Sequence, residues 1–133
     1  MRSLKYYAAT SWEEAVAALA KYPNAQVVAG GSDLLGWIKD GLVGPGAPRA
    51  ETLIAIRTIP NSAAVSYAAG SGLKVGALAT LTSIAESKDV LTNFPALAKS
   101  AASPASPSIR NVGSMGGNIM QRPRCWYLRG KEF

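Results

Sequence analysis

Three short apolar runs, Lys5 to Ala8, Ala25 to Ala29 and Thr52 to Ile56, alternate with stretches of helical periodicity, and this alternation constrains the fold more than any other feature. Strands joined through a helix run parallel, and such crossovers are right-handed. The first connection is the clearest. Thr10-Ser11 precedes Trp12, Ala15, Val16, Leu19 and Ala20, spaced three and four apart, and Ser11 with Glu14 has the spacing of a capping box. A helix is therefore expected from Ser11 to Lys21, closed by Pro23-Asn24. A second helix follows Gly31, carries Leu34, Leu35 and Ile38 on one face, and ends at Gly41 as a left-handed cap. Gly44-Pro45-Gly46-Ala47-Pro48 then forms a turn-rich loop. Residues 1–57 thus read as one β-α-β-α-β lobe, with Trp12 and Trp37 expected in its core.

From about residue 58 the pattern changes, and residues 58–133 read as a second small α/β lobe. Ala64 to Ala68 and Leu73 to Gly76 flank Gly70-Ser71-Gly72, which predicts a hairpin. Short helices are expected at Thr82 to Glu86 and at Phe94 to Ala102, the latter with Asn93 as cap and Pro95 in its first turn. Ser103 to Ser108 reads as an ordered turn. The fold class is α/β (α+β), and no internal repeat is visible.

Two glycine clusters carry the chemistry. In Val28-Ala29-Gly30-Gly31-Ser32-Asp33-Leu34 an apolar strand runs into a glycine turn, and Ser32 or Asp33 can cap the helix that follows. Strand, glycine turn and helix start together can offer backbone N–H groups to an anion such as a phosphate. The other reading is an ordinary strand-to-helix turn with a good cap. Neither G-x-G-x-x-G nor Gly-Lys-Ser/Thr is present, which counts against the Rossmann and P-loop fingerprints. The second cluster is Arg110-Asn111-Val112-Gly113-Ser114-Met115-Gly116-Gly117-Asn118-Ile119, in which glycine N–H groups could form an anion nest with the Ser114 hydroxyl and Asn118 amide at its rim. A glycine turn at a strand end is the alternative.

Composition narrows the chemistry. With no histidine, His-ligated metals, His general bases and Ser-His triads are excluded within these 133 residues. A single cysteine excludes an internal disulfide and suits a reducing compartment. No apolar run approaches the ~20 residues of a membrane helix and no signal peptide opens the chain, so a cytoplasmic protein without a membrane partner is expected. Of the net charge of +6, most lies beyond Pro104, where Arg110, Arg122, Arg124, Arg129 and Lys131 face only Glu132. Clustered arginines could neutralise a nucleic-acid backbone. These sit among glycines and apolar residues, without a basic helix or stacking platform, so nucleic acid is not the expected partner. Cys125 lies beside Arg124 and near Arg122 and Arg129, where cations favour a thiolate fit for reaction or metal ligation. It could equally be a small buried residue between Pro123 and Trp126.

The two glycine motifs, in this order and separation, resemble those of the FAD-binding subunit of the molybdenum hydroxylases, the group of xanthine dehydrogenase, carbon monoxide dehydrogenase and the aldehyde oxidoreductases. Leu73 to Leu78 and Asn93 to Leu97 are similar to the family's intervening segments, so the resemblance runs from about Tyr6 to Phe133. Position 114 is Ser where the family mostly has Thr, which keeps the hydroxyl. The resemblance implies the two-lobed FAD-binding fold of the vanillyl-alcohol oxidase (PCMH) type, truncated, because the family's flavin domain continues with more strands and a C-terminal domain. It implies that Val28, Ala29, Gly30, Gly31, Ser32, Asp33 and Leu34 form one FAD loop, and that Ser114, Gly116, Gly117 and Asn118 form the other.

Gln121-Arg122-Pro123-Arg124-Cys125-Trp126-Tyr127 matches the branch in which such a cysteine is the first ligand of a [4Fe–4S] cluster, its three companions following downstream in a full-length subunit. The implied function is to pass electrons from iron–sulfur clusters through FAD to an acceptor, as part of a multi-subunit oxidoreductase. The implied partners are a molybdopterin-containing large subunit and a [2Fe–2S] small subunit. Two other readings stay open: a fragment without flavin that serves as an interaction module, and a binder of phosphate backbones.

Overall fold

The computed structural model describes residues 3–42, 49–123, 125 and 127. They fall into two compact units, the first running to Ile59 and including the chain from Gln121 onward, the second spanning Pro60–Met120. The sequence boundary near residue 58 lies close to the first division, but the return of the chain to the first unit at Gln121 carries no signal in the sequence.

The first unit holds strands β1 (Lys5–Ala8), β2 (Ala25–Val28) and β3 (Thr52–Ala55) and helices α1 (Trp12–Lys21) and α2 (Leu34–Lys39). All strand pairs are parallel, as the helical connections require, and the order is β1-β3-β2. The last strand in sequence is thus the central one, and all four of its residues are buried. Strand alternation places Leu53, Ala55 and Val28 on one face, where Leu34 and Ile38 of α2 pack against them. The opposite face carries Tyr7, whose ring meets Tyr22 just beyond α1 at 5.9 Å between centroids.

Helix α1 starts as expected, with the Ser11 hydroxyl accepting the Glu14 N–H at 3.1 Å. The Glu14 carboxylate takes up the Thr10 N–H (2.6 Å), the Thr10 hydroxyl (2.7 Å) and the Tyr7 hydroxyl, stapling the helix start to β1. These bonds, the one from Tyr7 foremost, lower its pKa to about 2 and raise that of Tyr7. Ala15 and Ala18 make the buried seam of α1, while Trp12 is 42% exposed, contrary to expectation. Small residues bring the helix close to the sheet and leave the larger Trp12, Val16 and Leu19 to its flank. Trp37 is buried, as expected. Helix α2 ends in a Schellman motif, with Leu42 N–H on Trp37 O (3.0 Å), Gly41 N–H on Ile38 O (3.3 Å) and Gly41 at φ +66°. The predicted loop Gly44 to Pro48 lies outside the described residues.

The second unit opens with the antiparallel hairpin β4 (Val65–Ala68) and β5 (Gly72–Val75), paired Val65 to Val75 and Ala68 to Gly72. Its turn places Gly70 and Gly72 at positive φ. Helices α3 (Leu81–Glu86), α4 (Lys88–Asn93) and α5 (Pro95–Ala102) supply a core of Ile84, Val90, Ala98 and Ala101, against which Val65, Leu73, Val75 and Phe94 pack. Asn93 does not cap α5. It ends α4, its amide donating to Asp89 O, and Phe94 takes the cap position without a side-chain bond. Three short helices lie outside the expected set: α4, α6 (Pro107–Arg110) and α7 (Met115–Met120). At Gly76 the chain crosses so close to Ser62 that an added Cβ would lie 2.3 Å from the Ser62 carbonyl oxygen.

Candidate functional site

The first glycine motif leaves the end of β2 and turns into α2. Val28 is core, its carbonyl accepting the Ile56 N–H at 3.2 Å, so it anchors the motif from below. Ala29, Gly30, Gly31, Asp33 and Leu34 are half-buried and Ser32 is exposed. Gly31 adopts φ +74°, a left-handed conformation that glycine alone adopts without penalty, and a Cβ there would meet Leu35 Cδ1 at 2.8 Å. Glycine at 31 is thus required by the fold before any ligand is considered. The Gly31 carbonyl receives the Leu35 N–H and the Asp33 carbonyl that of Trp37. Among the described residues, no backbone bond takes up the N–H groups of Gly31, Ser32 or Leu34. This run of unspent donors, with the Ser32 hydroxyl beside it, suits an anionic group such as a pyrophosphate.

Asp33 occupies the cap position of α2, yet its side chain makes no capping bond. Its Oδ2 instead accepts the Arg122 N–H at 3.3 Å, across 89 residues of chain. The Arg122 guanidinium lies 5.2 Å from the centroid of the Trp37 ring, a cation–π distance. No sequence signal marks this link. Cys125, three residues on, is exposed and its thiol is free, which excludes the buried reading. Among the described residues no group of three His, Cys, Asp or Glu side chains could hold a metal ion, and no helix is long and apolar enough to cross a membrane.

The second motif is built differently. Ser106 caps α6 by accepting the Ile109 N–H, and Arg110 donates to the carbonyls of Pro104 (3.0 Å) and Ala105 (2.8 Å). That arginine therefore holds the preceding turn, in which Ala105 sits at φ +53°. An antiparallel bridge between Thr80 and Ser114 then fixes the start of α7. Gly116, Gly117 and Asn118 lie in the first turns of that helix, and their N–H groups are spent: Gly116 on Ala77 O (2.8 Å), Gly117 on Ser114 Oγ (3.2 Å), Asn118 on Ser114 O (2.8 Å). Ser114 is 5% exposed, and its hydroxyl oxygen caps the helix by accepting the Gly117 N–H. A Cβ at Gly116 would lie 3.0 Å from Ala77 O, so close helix packing accounts for that glycine. The half-buried Asn118 amide, which makes no side-chain hydrogen bond among the described residues, and the Ser114 N–H, which no backbone bond among them takes up, are groups this motif leaves for a ligand.

The structure therefore places residues 28–34 and Cys125 in the first unit and residues 114–118 in the second. Among the described residues, the first motif presents several backbone donors that no backbone bond takes up, whereas the second presents the Ser114 N–H.

Comparison with known proteins gives a consistent result. The model of the FAD binding domain in molybdopterin dehydrogenase matches residues 2–124. The chain is 31% identical over 114 residues to the xanthine dehydrogenase FAD-binding subunit of Escherichia coli O157:H7, covering 86% of this chain and 37% of that subunit. It is 29% identical over 128 residues to the aldehyde oxidoreductase FAD-binding subunit PaoB of Escherichia coli (strain K12), covering 96% of this chain and 38% of that one. In the solved carbon monoxide dehydrogenase from Hydrogenophaga pseudoflava that lacks the Mo-pyranopterin moiety, a chain superposes with a TM-score of 0.79 at 33% identity, over 89% of this chain and 39% of its own length. The chain thus spans less than two-fifths of the relatives it matches.

Proposed function

The chain belongs to the family of FAD binding domains of the molybdopterin dehydrogenases, and from that premise we propose that it is the FAD-binding portion of the flavin subunit of a molybdenum hydroxylase. The observation that carries the assignment of the site is the unspent donor run at Gly31, Ser32 and Leu34. These N–H groups and the Ser32 hydroxyl hold the FAD pyrophosphate, with Ala29 and Gly30 forming the approach to it. Asn118 donates its amide from the second motif, while Ser114, Gly116 and Gly117 keep the start of α7 in shape. Bound FAD would supply the redox chemistry, accepting electrons and passing them on; the chain's own work is to bind and orient it.

In the parent enzyme the partners are a molybdopterin-containing large subunit and a [2Fe–2S] small subunit, in the cytoplasm. Cys125, exposed and free, suits the role of one thiolate of a [4Fe–4S] cluster whose other ligands lie elsewhere, since such a cluster takes four.

The test is to load the purified protein with FAD and identify the retained flavin by chromatography after acid release. FAD retained in preference to FMN, and a reduced share in Asn118→Ala, support the reading. Equal retention of both flavins would remove the pyrophosphate from the account.

A further inference from the structure

We propose that Asp33 is a positioning residue whose carboxylate seats the chain segment 121–123 against α2, so that the first glycine motif and the segment leading to Cys125 move as one body. The role of the motif in binding FAD rests on the function proposed above; the seating itself does not. Asp33 stands where a side chain ordinarily caps the helix it precedes, and here it leaves that local bond unmade. It spends Oδ2 on the Arg122 N–H, and one turn further along α2 the Trp37 ring receives the guanidinium of the same residue. Backbone and side chain of Arg122 are thus both held by α2 or its cap, within one compact unit. The arrangement also resolves a conflict of charge. A carboxylate in a loop that offers N–H groups to an anion would repel that anion if it faced the same way; hydrogen-bonded to the Arg122 amide, it serves the chain instead. An anion drawn onto the Gly31–Leu34 donors therefore presses on a loop already tied to residues 121–123, and by linkage each steadies the other.

The experiment uses the ligand-free protein first, by amide hydrogen exchange at Arg122, with a spin label on Cys125, the sole cysteine, as a second readout. Asp33→Ala should speed exchange at Arg122 by about tenfold, the loss of one hydrogen bond to a charged acceptor. It should also sharpen the spectrum of the label. Asp33→Asn keeps an acceptor oxygen and should restore most of the protection, a rescue that a merely packed side chain would not give. Arg122→Pro deletes the N–H donor, and with it the guanidinium on Trp37, while leaving the sequence of α2 unchanged; it should mobilise the label at least as much as Asp33→Ala does, which keeps the test intact should Asp33→Ala fail to fold. Unchanged exchange in Asp33→Ala, or an Asp33→Asn variant as fast as Asp33→Ala, overturns the proposal.

FAD is then added. Slower exchange at Arg122 in the wild type but not in Asp33→Ala supports the coupling. If FAD binds and leaves exchange unchanged, the coupling is refuted. If FAD does not bind at all, the functional reading fails while the seating stands on the ligand-free data.

Discussion

Gly31→Ala separates what the fold needs at the first glycine motif from what a ligand needs. The added methyl would sit 2.8 Å from Leu35 Cδ1 and 3.1 Å from Cγ, on a backbone at φ +74°. The left-handed conformation costs an L-residue about 1–2 kcal/mol. The clash is softer, because Leu35 is 45% exposed and can swing aside. Driving it off its rotamer costs about 0.5–1.5 kcal/mol. Together these destabilise the protein by roughly 2–3 kcal/mol. Leu35→Ala removes the second cost and not the first, so the double variant should be about 1 kcal/mol more stable than the sum of the two single effects. Urea unfolding of the four proteins, followed by circular dichroism, gives that coupling directly. Because the methyl points at Leu35 and Val28, and alanine keeps its N–H, the folded variant should still bind FAD nearly as well as wild type. Strict additivity, or no loss of stability in Gly31→Ala, would refute the reasoning from backbone geometry. A full loss of flavin affinity in a folded variant would restore the view that glycine is there for the ligand.

Gly76→Ala should be more damaging, by roughly 3 kcal/mol or more, because its Cβ meets the backbone of Ser62, which the Leu78 N–H on Ser62 O (2.8 Å) holds in place. Calorimetry should show a Tm lowered by on the order of 10 °C, and a shift of a degree or two would count against the contact. Ser114→Ala should cost about 1 kcal/mol as a lost helix cap and speed amide exchange at Gly117; unchanged exchange there would deny the cap. Glu14, held near a pKa of about 2 by the Tyr7 hydroxyl and by Thr10, contributes stability that is present above its ordinary value of 4.5 and is lost as pH falls from there towards 2. Urea midpoints of Glu14→Gln should therefore fall less steeply than wild type in that window, and parallel curves would contradict the assignment.

The parallel unit was legible because its signals are local. Ser11 with Glu14, the apolar spacing to Ala20 and Gly41 after α2 each act within a few residues. Helix α1, its cap and the Gly41 end of α2 appear in place, although only Ala15 of those spaced residues is buried. The position of β3 between β1 and β2 is a tertiary outcome that periodicity does not encode. Trp12 misled because its spacing matches the buried seam, but the seam is made by Ala15 and Ala18, whose small side chains let the helix approach the sheet. Helix α7 was hidden for a different reason. Glycines at 116 and 117 are poor helix formers, and what holds them in a helix is the Thr80–Ser114 bridge and the pressure of Ala77, both distant in sequence. The second motif therefore read as a loop of free donors, although the amides of Gly116, Gly117 and Asn118 are spent. The Asp33–Arg122 bond spans 89 residues, and nothing in the composition of either segment announces it.

The central claim, that the first glycine motif holds a pyrophosphate, is tested most directly by a binding titration of FAD with competitors. FAD should bind, ADP should compete with it, and riboflavin, which lacks the phosphates, should neither bind with comparable affinity nor compete. If riboflavin competes as well as ADP, the site recognises the ring and not the pyrophosphate, and the role assigned to Gly31, Ser32 and Leu34 is contradicted.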